Sequence, residues 1–233
     1  ARYGPVWHRR SDYYSEESTS NHLSQILIMK KVVIASNNSG KLKEFTHLFE
    51  PLEIKVFPQS VFNVAEVEEP FQTFVENALV KARHASKQTG LPALADDSGI
   101  CVDVLNGRPG VYSARYAGEP KSDQRNNQLL IENLRTKQDR RAHYYCIIVL
   151  VRYADDPQPI ITDGSWYGRI VLEPRGTGGF GYDPYFYLPD LGKTAAELPI
   201  EDKNLISHRG KALMRLTRYI NEEALGGLGK DSE

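Results

Sequence analysis

The chain has 233 residues, 40% of them hydrophobic and 25% charged, the proportions of a globular protein with room for one sizeable α/β domain or two small ones. A formal net charge of −1 gives no support to general binding of nucleic acid or of an acidic membrane surface, so a polyanionic ligand has to be met by a local basic site. No run approaches the roughly 18 consecutive apolar residues of a membrane span, and Cys101 and Cys146 sit in apolar runs without metal or redox spacing. Buried, reduced thiols in a cytoplasmic protein are the expectation.

Residues 1–28 are rich in Arg, Tyr, Ser and His and carry no sustained period. They lack the continuous apolar core of a secretory signal, although the stretch from His22 to Ile28 mimics a short one. Met29, followed by Lys30-Lys31-Val32-Val33-Ile34, reads as a natural start. Residues 1–28 are therefore expected to be an extension, disordered or added upstream, and residues 29–233 a single domain.

Val32 to Ala35 is a β-branched run that reads as a buried strand. A polar loop follows, and then Leu42, Phe45 and Leu48 recur at helical spacing. Glu53 to Val56 offers a second strand. Thr73 with Glu76 three residues on is a capping-box pattern, and it opens a helix that carries Phe74, Ala78 and Lys81 on one face and stops near Thr89-Gly90. Ala93 to Ala95 and Cys101 to Val104 read as two strands that bracket an acidic turn. Ser122 to Leu134 is a further helix, Tyr144 to Val151 a strand, and Ile160 to Trp166 its hairpin partner across Asp155-Asp156-Pro157. The last helix starts near Ser207 and buries Leu213, Leu216 and Ile220. Gly226 onward is expected to be a loose tail. Hairpin and crossover signals occur together, which predicts an α/β fold with a mixed central sheet.

Three segments carry chemistry. Ala93-Leu94-Ala95-Asp96-Asp97-Ser98-Gly99 delivers adjacent carboxylates to the rim of a sheet if the strand stops there, the place where acids bind a divalent metal or activate water. Ser36-Asn37-Asn38-Ser39-Gly40-Lys41 lies between a strand and a helix, where backbone N–H groups and a lysine can meet an anion, although the Walker spacing is absent. Gly176 to Asp183 lets backbone approach a flat ligand, with Phe180 and Tyr182 as rings for stacking. Mg²⁺ needs only one or two protein carboxylates, so one glutamate from Glu66, Glu68 or Glu69 together with Asp97 meets its demand, and Lys81 can counter a phosphate. Lys203 and Ser207-His208-Arg209-Gly210 put cationic donors at a helix start, where a guanidinium can fork onto a purine carbonyl or a phosphate. Each segment alone also has a plain reading as a polar turn, a solvated acidic surface or a tight hairpin. No histidine pair supports a His–His metal site.

Taken together, these segments resemble the inosine triphosphate pyrophosphatase family. The resemblance rests on Ser36 to Lys41, Thr73-Phe74-Val75-Glu76-Asn77-Ala78, Ala95 to Gly99, Gly110-Val111-Tyr112-Ser113-Ala114-Arg115-Tyr116, Gly178 to Asp183 and Ser207 to Gly210, in family order from Met29 to about Glu223. It implies an elongated α/β fold with a mixed central β-sheet, flanking helices and two lobes around a nucleotide cleft, usually in a homodimer. It further implies Mg²⁺-dependent hydrolysis of dITP, ITP and XTP to the monophosphate and pyrophosphate, which cleanses the nucleotide pool. By motif position, Ser36, Asn37, Asn38, Ser39, Gly40 and Lys41 would cradle the triphosphate with help from Lys81. Asp97 would be the catalytic acid/base and a metal ligand with Glu69, and Asp96 would support it. Ser98, Phe180, Gly181, Tyr182, Asp183, Lys203, His208 and Arg209 would hold the nucleoside. The chain departs from the family pattern at Pro70-Phe71 and at Asn37, which stands at a glycine position and calls for a backbone Asn tolerates, such as the left-handed region. A binding module without hydrolysis and a pyrophosphatase of broader base range are the alternatives that a substrate panel separates.

Overall fold

A computed structural model describes residues 30–226, so the expectations for residues 1–28 and for the tail beyond Gly226 lie outside the described residues. Seven strands form one mixed sheet in the order β2-β1-β3-β4-β5-β6-β7. They are β1 (Lys31–Ile34), β2 (Lys55–Pro58), β3 (Ala93–Val102), β4 (Arg141–Val151), β5 (Ile160–Ile170), β6 (Phe186–Leu188) and β7 (Lys193–Thr194). β1 runs parallel to β2 and β3, and the remaining neighbours are antiparallel. The helices are α1 (Ser39–Phe49), α2 (Phe74–Thr89), α3 (Asp123–Leu134), α4 (Ile200–Ile206) and α5 (His208–Gly226). Among the described residues no helix is long and apolar enough to cross a membrane.

The helix ends follow local chemistry. Thr73 Oγ1 accepts from the Glu76 N–H, and Gly90 closes α2 at φ 67°. Ser122 accepts from the Arg125 N–H to start α3. β2 begins two residues later than Glu53 because Glu53 itself takes a left-handed φ of 56° after a 3₁₀ turn. Asn37 is not among the non-glycine residues with positive φ, which are Glu53, Asn63 and Asn106, so the left-handed backbone expected for it is not adopted.

Three buried clusters hold the sheet. On one face Phe45 and Phe49 of α1 and Leu213, Leu216 and Ile220 of α5 pack on Ile34, Leu94, Ile148 and Leu150. On the other, Ala78, Ala82 and Ala85 of α2 lie against Ala93 and Ala95, small residues that let helix and sheet approach closely. The third core joins Leu130 and Leu134 of α3 to Tyr144, Trp166 and Phe186 at the far end of the long strands. Truncating a side chain as buried as Leu216 would cost about 2–5 kcal/mol.

The acidic segment corrects the sequence reading. The apolar run does not stop at Asp96-Asp97: β3 is one ten-residue strand, and both acids pair with β4, Asp96 opposite Ile148 and Asp97 opposite Ile147. The strand persists because β4 supplies a continuous partner and because Gly99 lets the 3₁₀ segment Gly110–Arg115 lie on it; a Cβ there would come 2.2 Å from the Gly110 carbonyl oxygen. The rim is real but lateral. β1 pairs with β3 only through Ala93 and Leu94, and the next partner on that edge is Pro109, bridged to Cys101, so the edge is open between them and a cleft forms along it.

Candidate active site

Side chains alternate across a strand, so Asp96 and Asp97 point to opposite faces. Asp96 follows Leu94 toward α1 and α5. There its carboxylate accepts from Lys41 Nζ at 2.8 Å and pairs with Arg209 Nε at 3.2 Å. Burial alone would raise its pKa, but Lys41 and Arg209 outweigh that and hold it far below the ordinary carboxylate range. Asp97 follows Ala95 toward α2, where Lys81 Nζ lies 3.5 Å from Asp97 and 3.4 Å from Glu69. Here burial wins. With the Glu69 and Asp96 charges adding to it against Lys81, the carboxyl is pushed up to about 6. Burial works against the Lys81 ammonium, yet Asp97, Asp96 and Glu69 carry its pKa above the ordinary value. Asp97 Oδ2 is buried without a hydrogen-bond partner.

A cleft of about 630 Å³ brings most of the expected residues together. Ser36, Asn37, Asn38 and Lys41 line one end, with Lys81, Glu69, Asp96, Asp97 and Ser98 at its middle. Phe180, Gly181, Tyr182, Asp183, Lys203 and His208 line the other end, and Arg209 reaches the middle, where it meets Asp96 and Ser98. Glu69 is in the lining and carries the ion pair to Lys81, whereas Glu68 is exposed. Gly40 sits behind the lining in the first turn of α1, where a Cβ would lie 3.2 Å from Asn38 Oδ1.

The first loop is built differently from an open anion nest. Asn38 Oδ1 caps α1 by accepting from the Gly40 and Lys41 N–H groups, and the Asn38 N–H donates to Ser36 Oγ. Asn37 Nδ2 donates to the exposed Glu66 at Oε1, 3.3 Å away, which holds Glu66 at the margin of the cleft. Lys41 and the helix end therefore carry the positive character of this end.

At the opposite end the two aromatics separate. Phe180 is 55% exposed, with the Lys203 ammonium 4.9 Å from its ring centre. Tyr182 belongs to the core and donates its hydroxyl to the Ser113 carbonyl, so it is a wall rather than a stacking ring. Asp183 is buried and accepts from the Phe180 N–H, from Lys203 Nζ and from the Tyr144 hydroxyl. The glycines wrap that carboxylate: a Cβ on Gly179 (φ 71°) would come 2.1 Å from Asp183 Oδ2. The His208 ring stacks on Tyr144 at 4.7 Å. Burial and the Arg209 and Lys203 charges lower its pKa well below the ordinary value, so it is neutral, and its Nδ1 has no partner. Arg209 is already engaged, with Nε on Asp96, Nη1 on Glu44 and Nη2 on Ser98 Oγ. All three of its guanidinium nitrogens have partners within the protein, so it is not the free donor to a purine that the sequence led one to expect.

Sequence reasoning missed Glu44, Gln59, Asp123 and Tyr144 in this lining. Glu44, one turn after Lys41 on the same helix, had a readable spacing; the others are reached only through the fold. Cys101 and Cys146 are free thiols, raised by burial to about 11 and about 12, and Cys101 is only half-buried.

Comparison with known proteins places the chain in a family. The model of the Ham1 family fits residues 32–219. A dITP/XTP pyrophosphatase of Nitrosomonas europaea is 65% identical over 194 residues, covering 83% of this chain and 96% of that protein. One from Chromobacterium violaceum is 62% identical over 186 residues, covering 80% and 94%. The solved structure of a HAM1 protein from Coxiella burnetii superposes with a TM-score of 0.81 at 52% identity over 83% of this chain and all of that one. With the six motifs in order, the fold and the family model all spanning the same residues, the chain belongs to the Ham1 family.

Proposed function

We propose that this chain hydrolyses the non-canonical purine nucleoside triphosphates dITP, ITP and XTP to the monophosphate and pyrophosphate with Mg²⁺, and so clears them from the nucleotide pool. The names of its relatives support the reaction class. The observation that carries the chemistry is Asp97: a buried carboxyl with an unpartnered oxygen, raised to about 6, between Lys81, Glu69 and an open cleft. Without metal, that carboxyl therefore titrates near the range in which a general base works best.

Asp97 and Glu69 are the residues that would hold Mg²⁺. The fit is chemical: hard oxygen donors, one of them orphaned, beside space for phosphate and water oxygens. When bound, the ion would neutralise phosphate charge as it develops and orient the scissile bond. Lys41 and Lys81 neutralise the triphosphate from the two faces of β3. Asp97 takes the proton of the attacking water, and Lys81 holds that carboxylate in place. Asp96 keeps Lys41 and Arg209 in position.

The base would lie against Phe180, with Lys203 and the neutral His208 ring at its edge. Hypoxanthine and xanthine present an acceptor at O6, whereas adenine presents an amino donor. Donors left unpaired by adenine cost roughly 1–3 kcal/mol each, so two reject ATP by about 100-fold or more. Catalytic efficiencies for ITP, XTP, GTP and ATP, measured alongside Asp97→Asn, test both halves of the proposal. ITP is expected to exceed ATP, and Asp97→Asn to lose at least ~100-fold in turnover; equal use of ATP, or normal turnover in the variant, rejects it. The same reading carries a homodimer, with the half-exposed Tyr112 as a contact. Light scattering at micromolar concentration checks this, and a monomer rejects it.

A further inference from the structure

Phe180 presents a ring that packing does not hold, since more than half of it is exposed. Its position must come from its backbone, and that backbone lies in a run of glycines in which Gly179 and Gly181 both take positive φ. Such a run is flexible unless something outside it grips it. The grip comes from α3. The Gly181 N–H donates to Asp123 Oδ2 at 2.7 Å, and the Gly181 carbonyl accepts from Asn127 Nδ2 at 2.8 Å. Asp123 and Asn127 are one helical turn apart, and Asn127 also donates to the Asp123 carbonyl at 2.9 Å, which ties the two together. α3 is itself fixed by Leu130 and Leu134, both fully buried.

We infer that Asp123 and Asn127 are positioning residues that clamp Gly181 and so set the Phe180 ring at the nucleoside end of the cleft. The inference rests on the reading above that Phe180 receives the base. Gly181 is the residue between Phe180 and Tyr182, so both of its peptide groups being held leaves the Phe180 backbone little freedom. On the other side the Phe180 N–H is held by Asp183. The ring is thus suspended between two carboxylates, one buried and one at the surface. Asp123 is exposed, so its removal spares the core.

The test compares affinity for inosine monophosphate, which carries the base, with affinity for tripolyphosphate, which does not. A hydrogen bond to a charged acceptor corresponds to about tenfold in an equilibrium constant, so Asp123→Ala is expected to weaken inosine monophosphate by about tenfold and leave tripolyphosphate unchanged. KM for ITP should rise with kcat little altered, and Asp123→Asn, which keeps an acceptor, should recover most of the loss. Added to Phe180→Ala, the Asp123→Ala change should cause no further loss, because the ring it positions is gone. Unchanged inosine monophosphate affinity in Asp123→Ala, equal losses for both ligands, or full additivity with Phe180→Ala would each overturn the clamp while the base-stacking reading stands. If Phe180→Ala alone leaves inosine monophosphate binding intact, that reading falls and takes the clamp with it.

Discussion

Asp96 and Asp97 share a peptide bond and differ only in the face of β3 to which they point. Asp96 finds two cations and is stabilised as an anion; Asp97 finds one shared lysine, a glutamate and an oxygen with nothing to accept from. The two should respond oppositely to removal of charge. For metal-free protein, the Asp97 pKa of about 6 exceeds its unfolded value, so the folded state binds the extra proton. Stability is therefore lost as pH rises from about 4 to about 6, and at higher pH the charged carboxylate costs on the order of 3 kcal/mol. Asp97→Asn removes that cost, so with chelator at pH 8 its midpoint of thermal unfolding should exceed wild type, with no gain at pH 4. Asp96→Ala should instead lose roughly 3–5 kcal/mol, because it strips a partner from buried Arg209. Its contribution has the opposite pH sense: present above the ordinary carboxylate range, lost as pH falls below it. Thermal melts of both variants across pH decide this, and a destabilised Asp97→Asn at pH 8 would refute the account.

What could be read from the chain follows from how local the determining contacts are. The Thr73 and Ser122 caps, the Gly90 stop and the α5 stripe are settled within one or two turns, and the sequence announces each of them. Strand β3 was misread as two pieces because nothing local favours Asp-Asp-Ser-Gly in a strand. Its partners are far away in sequence: Lys41 stands 55 residues from Asp96, Arg209 stands 113, and β4 supplies the ladder. The motifs still placed most of the cleft lining, since those residue types have few other uses together. Asp123, Gln59 and Tyr144 could not be found, because their value arises only where elements meet. Gly99 shows the same dependence, for a Cβ there meets the Gly110 carbonyl oxygen at 2.2 Å and Ser113 Oγ at 2.5 Å. Gly99→Ala should thus destabilise the fold by roughly 1–3 kcal/mol through overpacking, seen as a lower urea midpoint at unchanged slope. A midpoint equal to wild type would show that the Gly110–Arg115 segment yields freely.

At the scale of the whole molecule, charge balance decides how a polyanion can bind. The chain carries a net charge of −1, and the cleft does not escape that neutrality. Lys41, Lys81, Arg115, Lys121, Lys203 and Arg209 are offset there by Glu44, Glu66, Glu69, Asp96, Asp97, Asp123 and Asp183, and His208 is neutral. Several of these cations are already committed to carboxylates: Lys41 and Arg209 to Asp96, Lys203 to Asp183, Lys81 to Glu69 and Asp97. A triphosphate entering this cleft alone gains little net attraction, and it would also face the Asp97 carboxylate. A divalent cation held by Asp97 and Glu69, as proposed above, would reverse the local sign there. Chelation should then do more than stop turnover: it should weaken binding of the triphosphate by roughly tenfold or more, about 1.4 kcal/mol, while inosine monophosphate, whose base end lies away from these acids, changes less. Titration calorimetry with ITP under non-hydrolysing conditions, using Asp97→Asn with and without Mg²⁺, separates the charge effect from chemistry. Because that variant has lost one carboxylate, its metal-free affinity for ITP should exceed that of chelated wild type. If chelated wild-type protein binds ITP as tightly as the Mg²⁺-loaded protein, the lysines suffice on their own and the charge argument fails.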